Sequence, residues 1–227
     1  MKNTITTLIL LLCALNSFAQ KEKTTIDLEK FTELKAFDQI EVTLIKSDKN
    51  QVVLTGDDQG DVNVDNKKGL LKIKMDFENH MDGEDIEAKV YYTEELTLLD
   101  ANENAKIFSE GTFKSKEVKI AVQEGADVEM KVDIDNLYVK STSGSAVRLT
   151  GSARIQEVVA NAGGKVYNKA LNTEETKVTV NAGGSAEIKA SKKAAAKVRA
   201  GGSIYIYGNP KQVDRDKVFG GKIKVMD

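Results

Sequence analysis

From about Asn102 onward the chain repeats itself. Small residues, usually with Gly among them, recur ahead of an apolar–x–apolar pair. The copies are Asn104-Ala105-Lys106-Ile107, Gly125-Ala126-Asp127-Val128, Gly144-Ser145-Ala146-Val147, Gly163-Gly164-Lys165-Val166, Gly183-Gly184-Ser185-Ala186, Gly201-Gly202-Ser203-Ile204 and Gly220-Gly221-Lys222-Ile223. The apolar residue after the turn falls at 107, 128, 147, 166, 186, 204 and 223, in steps of 21, 19, 19, 20, 18 and 19. Such a period marks a solenoid. A step of about 19 with strand-like patterning fits one coil of a parallel β-helix.

In a strand every second side chain shares a face. After each turn the first and third positions therefore point inward. They read Val128/Met130, Val147/Leu149, Ala186/Ile188, Ile204/Ile206 and Ile223/Val225, with Ile107/Ser109 and Val166/Asn168 as exceptions. The outward position between them reads Phe108, Glu129, Arg148, Tyr167, Glu187, Tyr205 and Lys224. The strand before each turn alternates too: Val118, Ile120 and Val122; Leu137 and Val139; Val178, Val180 and Ala182; Ala196, Val198 and Ala200. The Ala-rich 190–200 segment admits a helix, but its alternation and the following Gly-Gly favour a strand. One coil cannot bury such a face alone, whereas stacked coils bury a continuous column of side chains.

Between Ile26 and Leu99 the pattern is still β, without the Gly-marked period. Ile40, Val42 and Leu44 alternate, as do Val62 and Val64, Leu71, Ile73 and Met75, and Ile86, Ala88, Val90 and Tyr92. Asn, Asp and Gly turns between them predict antiparallel hairpins that pack onto or merge with the first coil and shield its open edge, with an acidic loop over 77–85. The expectation is an all-β chain: an antiparallel β N-terminal layer over 20–101, then a parallel β-helix-like solenoid of about six to seven short coils over 102–227. The two form one continuous body, because no Pro- or Ser-rich linker divides them.

Residues 1–19 read as a signal peptide, with Lys2 before an apolar stretch at 8–15 and Ser17-Phe18-Ala19 ahead of the cleavage site. The apolar stretch is shorter than the ~20 residues a spanning helix needs. No transmembrane segment is expected after cleavage, and the expected destination is the periplasm or outer cell surface. Cys13, the only cysteine, lies in that leader, so the mature chain would have no disulfide, thiol nucleophile or thiolate metal site. A net charge of −2 with both signs mixed gives no basic footprint for nucleic acid.

Four stretches carry a resemblance. Phe37-Asp38-Gln39-Ile40-Glu41-Val42 looks like an opening strand and Gly69-Leu70-Leu71-Lys72-Ile73 like a second hairpin. The Ser-Gly-Ser and Gly-Gly turns look like central coils. Ile204-Tyr205-Ile206-Tyr207-Gly208-Asn209-Pro210, followed by Gly220-Gly221-Lys222-Ile223, looks like a closing motif. Together they resemble the autotransporter adhesin head domain of the GIN type, found in secreted proteins of the Bacteroidetes. The resemblance implies a secreted, β-helix-like cell-envelope module of unassigned biochemical role. The chain leaves no segments over to build a membrane β-barrel.

For chemistry, the sharpest alternative is a carbohydrate-active enzyme, a polysaccharide lyase or hydrolase on a β-helix. Glycoside hydrolysis typically needs two carboxylates about 5–10 Å apart. The outward carboxylates Glu129 and Glu187 stand three coils apart, roughly 14 Å at the usual strand spacing. No catalytic residues are assigned and a non-catalytic module is expected. Asp57-Asp58 with Asp61 and Asp65, Asp82-Gly83-Glu84-Asp85, and Asp133-Ile134-Asp135-Asn136 are oxygen-rich but lack calcium-loop spacing. They read as turns, and no metal or cofactor is expected. His80, the single histidine, cannot build a His-rich zinc site.

The candidate ligand-binding strip is Tyr167 and Tyr205, two coils apart, with Arg148 and Glu187 on the same face and Asn161, Asn181 and Arg199 on the preceding strands. Exposed aromatics among polar neighbours suit a glycan or a cell-surface protein. The alternative is that these side chains are ladders stabilising stacked strands. No cap is evident after the last coil, 220–227, so a homo-oligomer through that edge is expected.

Overall fold

The structure, a computed structural model, describes residues 23–76, 78 and 81–226. The expected leader, Cys13 and His80 lie outside the described residues. The regular elements are nearly all strands. In the N-terminal part these are β1 (Lys23–Asp27), β2 (Glu33–Ala36), β3 (Glu41–Lys46), β4 (Gln51–Thr55), β5 (Val62–Lys67), β6 (Leu70–Met75), β7 (Glu87–Tyr92) and β8 (Leu98–Ala101). Three long strands follow: β9 (Lys106–Val122), β10 (Asp127–Ser141) and β11 (Ala146–Ala160). The remaining coils are divided into β12 (Lys165–Asn168), β13 (Leu171–Asn181), β14 (Ser185–Lys189), β15 (Lys193–Arg199), β16 (Ser203–Tyr207), β17 (Gln212–Val218) and β18 (Lys222–Val225).

The repeat winds into parallel rungs in the expected register. Ile107 pairs with Val128, Val128 with Val147, and Val147 with Val166. The column continues through Ala186 and Ile204 to Ile223. All but Ile223 are fully buried. Each buried Val or Ile is worth about 1.5–3 kcal/mol, so this column and its partner on the strands before the corners form the spine of the core.

The corners explain the small residues. In the five corners from Asn102–Ala105 to Asn181–Gly184, the N–H of the fourth residue donates to the carbonyl of the first, as Ala126 does to Gln123 at 3.2 Å and Gly164 to Asn161 at 2.8 Å. The two central residues have positive φ, for example Glu124 at 56° and Gly125 at 77°. Positive φ at both positions defines a type I′ turn. Ala182 (φ 46°) and Ala200 (φ 53°) occupy the first central position and are exposed. They are corner residues, not members of the inward faces of Val178/Val180 and Ala196/Val198 to which the alternation assigned them. The Ala-rich segment is strand, with Ala194, Ala196 and Val198 inward. Phe37–Ile40, expected within an opening strand, is itself a corner: Asp38 and Gln39 have φ of 58° and 67°, and Ile40 N–H donates to Phe37 O at 3.2 Å.

The N-terminal segment supplies the antiparallel strands expected of it. β5 and β6 form a hairpin around Lys68-Gly69, and β4 lies between β1 and β7. It also supplies parallel rungs, which were not expected. β2 pairs in parallel with both β6 and β8, and β3 with both β7 and β9. The β2–β3 rung is therefore slotted between the β6–β7 and β8–β9 rungs, out of chain order. Val42 and Ala88 extend the inward column beyond Ile107.

Candidate binding face

The outer face of the strands after the corners carries a continuous side-chain ladder. Phe108 pairs with Glu129, and Glu129 with Arg148. Tyr167 pairs with Glu187, Glu187 with Tyr205, and Tyr205 with Lys224. Arg148 joins the two halves: its Nη1 donates to Asp127 Oδ1 at 2.8 Å, and its guanidinium lies 5.1 Å from the Tyr167 ring centroid. The alternation of inward aliphatic and outward polar residues generates this face directly.

Tyr167 and Tyr205 flank Glu187, about 10 Å apart across two rungs. Both rings are half-buried by their neighbours. Lys222 Nζ sits 5.3 Å from the Tyr205 ring centroid, and Lys169 Nζ lies 3.5 Å from the Glu187 carboxylate, within ion-pair reach. The ring faces thus meet cations along the stack, which orders them. Both tyrosines stay partly exposed, while the Glu187 side chain between them is 25% exposed with its Oε2 buried.

The three other predicted residues form a second line, on the strands before the corners. Asn181 Nδ2 donates to Asn161 Oδ1 at 2.7 Å, and Arg199 pairs in register with Asn181. The corners Ala162-Gly163, Ala182-Gly183 and Ala200-Gly201 run between the two lines. The structure therefore unites Arg148, Tyr167, Glu187 and Tyr205 as one line and Asn161, Asn181 and Arg199 as another. Sequence reasoning missed Asp127, Lys169 and Lys222 as partners. For Asp127 and Lys222 the signal was present, since each directly precedes an inward apolar residue.

At the other end of the ladder, Phe108, Glu129, Met130, Arg148 and Thr150 line a shallow recess of about 330 Å³. The two outward carboxylates, Glu129 and Glu187, are separated in register by Arg148 and Tyr167. That spacing is too wide for the paired carboxyl groups of glycoside hydrolysis. A second groove, of about 440 Å³, opens where the long strands give way to divided coils. Three of its five charged residues are engaged with neighbours: Asp133 accepts from Ser152 Oγ at 3.2 Å, Arg154 donates to Asn136 at 3.1 Å, and Glu174 pairs with Lys192 at 2.8 Å. Asp133 and Asp135, taken from the sequence as turn residues, lie within β10, exposed, with Ile134 inward between them. Among the described residues no group of three or more His, Cys, Asp or Glu could hold a metal ion.

A family model described as "Putative auto-transporter adhesin, head GIN domain" matches residues 30–210. No curated protein matches. Solved structures share the fold. A putative adhesin from Bacteroides fragilis aligns with a TM-score of 0.83 at 18% identity, over 92% of this chain and 98% of that one. A putative lipid binding protein from Parabacteroides distasonis gives 0.71 at 15%, over 91% and 98%. A putative adhesin from Parabacteroides merdae gives 0.68 at 15%, over 92% and 98%.

Proposed function

The chain belongs to the family of putative auto-transporter adhesin head GIN domains, and from that premise we propose that it is a non-catalytic, adhesin-like binding module of the bacterial cell envelope. Its ligand is a glycan or a cell-surface protein, taken on the outer face by Arg148, Tyr167, Glu187 and Tyr205. Asn161, Asn181 and Arg199 supply polar contacts across the corners. The observation that carries this reading is the unbroken register of two tyrosines about a carboxylate on a flat, stiff sheet. Aromatic edges and a fixed hydrogen-bonding group suit a sugar or a protein loop. A rigid scaffold lowers the entropy cost of binding.

The leader at 1–19 carries the chain across the inner membrane, and the mature protein acts in the periplasm or at the outer surface. Among the described residues no helix is long and apolar enough to cross a membrane. The test is binding of the purified protein to a glycan array and to surface proteins of neighbouring cells. Tyr167→Ser with Tyr205→Ser should abolish the signal while the domain stays folded. Binding that survives both changes would leave the tyrosines as stacking ladders only, and cleavage of a bound glycan would refute the non-catalytic part. Mass spectrometry of the exported protein should find an N-terminus at Gln20.

A further inference from the structure

At the C-terminal end of the stack, β17 pairs with β15 and β18 with β16. Among the described residues nothing pairs with their outer edges. Such an edge presents a row of backbone donors and acceptors ready to accept another strand.

The last rung breaks the rule of the columns behind it. Val178 is followed by Ala196 and then Arg215; Val180 is followed by Val198 and then Lys217. Two cations thus stand at core-facing positions on the exposed end of the core. Their outward neighbours are already matched, Asp214 with Lys193 at 3.3 Å and Asp216 with Lys197. Arg215 and Lys217 have no ion pair among the described residues. Beside them Val213, Ile223 and Val225 are only partly buried. At the corner joining the two strands Phe219 is 89% exposed with φ 58°. The equivalent corner position holds Ser143, Ala162, Ala182 or Ala200 in the four preceding coils.

The charge pattern says what this edge can accept. A second copy pairing tail to tail about β17 would set Arg215 against Arg215 and Asp214 against Asp216, and like charges directly opposite are destabilising. A copy stacked head to tail through β5 would bury the cations against a row of Val62, Val64 and Asn66, which offers no carboxylate to pair with them. A strand with Asp or Glu at alternate positions matches both cations on the inward side. We propose that the C-terminal edge receives an acidic β-strand from another protein, anchored at its rim by Phe219, and is barred to a second copy of this chain. This replaces the homo-oligomer expected from the missing cap, and it does not depend on the tyrosine ladder.

The test uses two synthetic peptides, one alternating Glu with Thr and Val, the other alternating Lys with the same residues. The Glu peptide should bind the purified protein, with affinity falling as salt is raised, and the Lys peptide should not. Arg215→Glu with Lys217→Glu should reverse the preference. Both side chains are exposed, so circular dichroism should report an unchanged fold. Phe219→Gly should weaken the Glu peptide by about tenfold, the loss of one interface anchor, while leaving the melting temperature equal or higher. Indifference to peptide charge, no binding of the Glu peptide, or preference unaltered by charge reversal would overturn the proposal. So would a dimer whose hydrogen exchange is protected at β17 and β18.

Discussion

Gly184 backs onto the rung behind it so closely that a Cβ on it would lie 2.8 Å from the Ala160 carbonyl oxygen, whereas one on its neighbour Gly183 would meet nothing within 4 Å. The two glycines of one corner therefore answer different demands. Gly183 has φ 78° and is needed for the turn; Gly184 is needed for the approach of two backbones.

The corner variants should separate those roles. Gly183→Ala should cost about 1–2 kcal/mol, the price of a left-handed residue with a Cβ. Gly184→Ala should cost more, up to about 3 kcal/mol, as overpacking against immovable backbone. Equilibrium denaturation of both variants checks the order, and equal losses would refute the division.

Ala182 already carries the left-handed strain, with φ 46° and an exposed side chain. Ala182→Gly should stabilise by up to about 1 kcal/mol. Ala182→Val should destabilise, because a β-branched residue resists positive φ more strongly. Melting temperatures of the pair should move in opposite directions.

Gln156 is buried on the inward column between Leu137 and Thr176, and among the described residues neither side-chain polar atom has a hydrogen-bond partner. An unpartnered buried amide costs about 1–3 kcal/mol. Gln156→Leu should therefore raise stability by an amount in that range. A loss on substitution would mean that the amide is satisfied in solution.

Burial pushes the Tyr92 phenol up to about 12. Its ring is 4% exposed, packs 6.4 Å from the Phe113 ring and lies under the Lys46 ammonium at 5.1 Å. A raised folded value stabilises the protein fully below the unfolded phenol range near pH 10, and that contribution is lost as pH climbs from about 10 to 12. The loss amounts to at most about 3 kcal/mol. Melting curves across that window should fall more steeply for the wild type than for Tyr92→Phe.

The repeat was legible because its coils follow one another at nearly constant spacing. Ile107, Val128, Val147 and Val166 could be aligned by counting alone, and they stack as counted. Tyr167, Glu187 and Tyr205 followed, since parity within a strand places them outward. Ala182 and Ala200 were misread because alternation cannot tell where a strand stops when the corner residue is alanine and not glycine. The parallel pairing of β2 and β3 was illegible for a different reason. Alternating apolar residues reveal a strand and its buried face, but not the direction or identity of its neighbour. Leu34 meets Leu71 on one side and Leu99 on the other, and no fixed interval links the three.

That misordered rung has a bearing on how the molecule is made. Leu34 leaves the ribosome well before either leucine that will flank it, so the earliest-synthesised rung cannot dock as it emerges. The evenly spaced downstream windings close shorter loops and can zip up first. The first rung to be translated is then clasped late, from both sides, like a page slipped into a book already half bound.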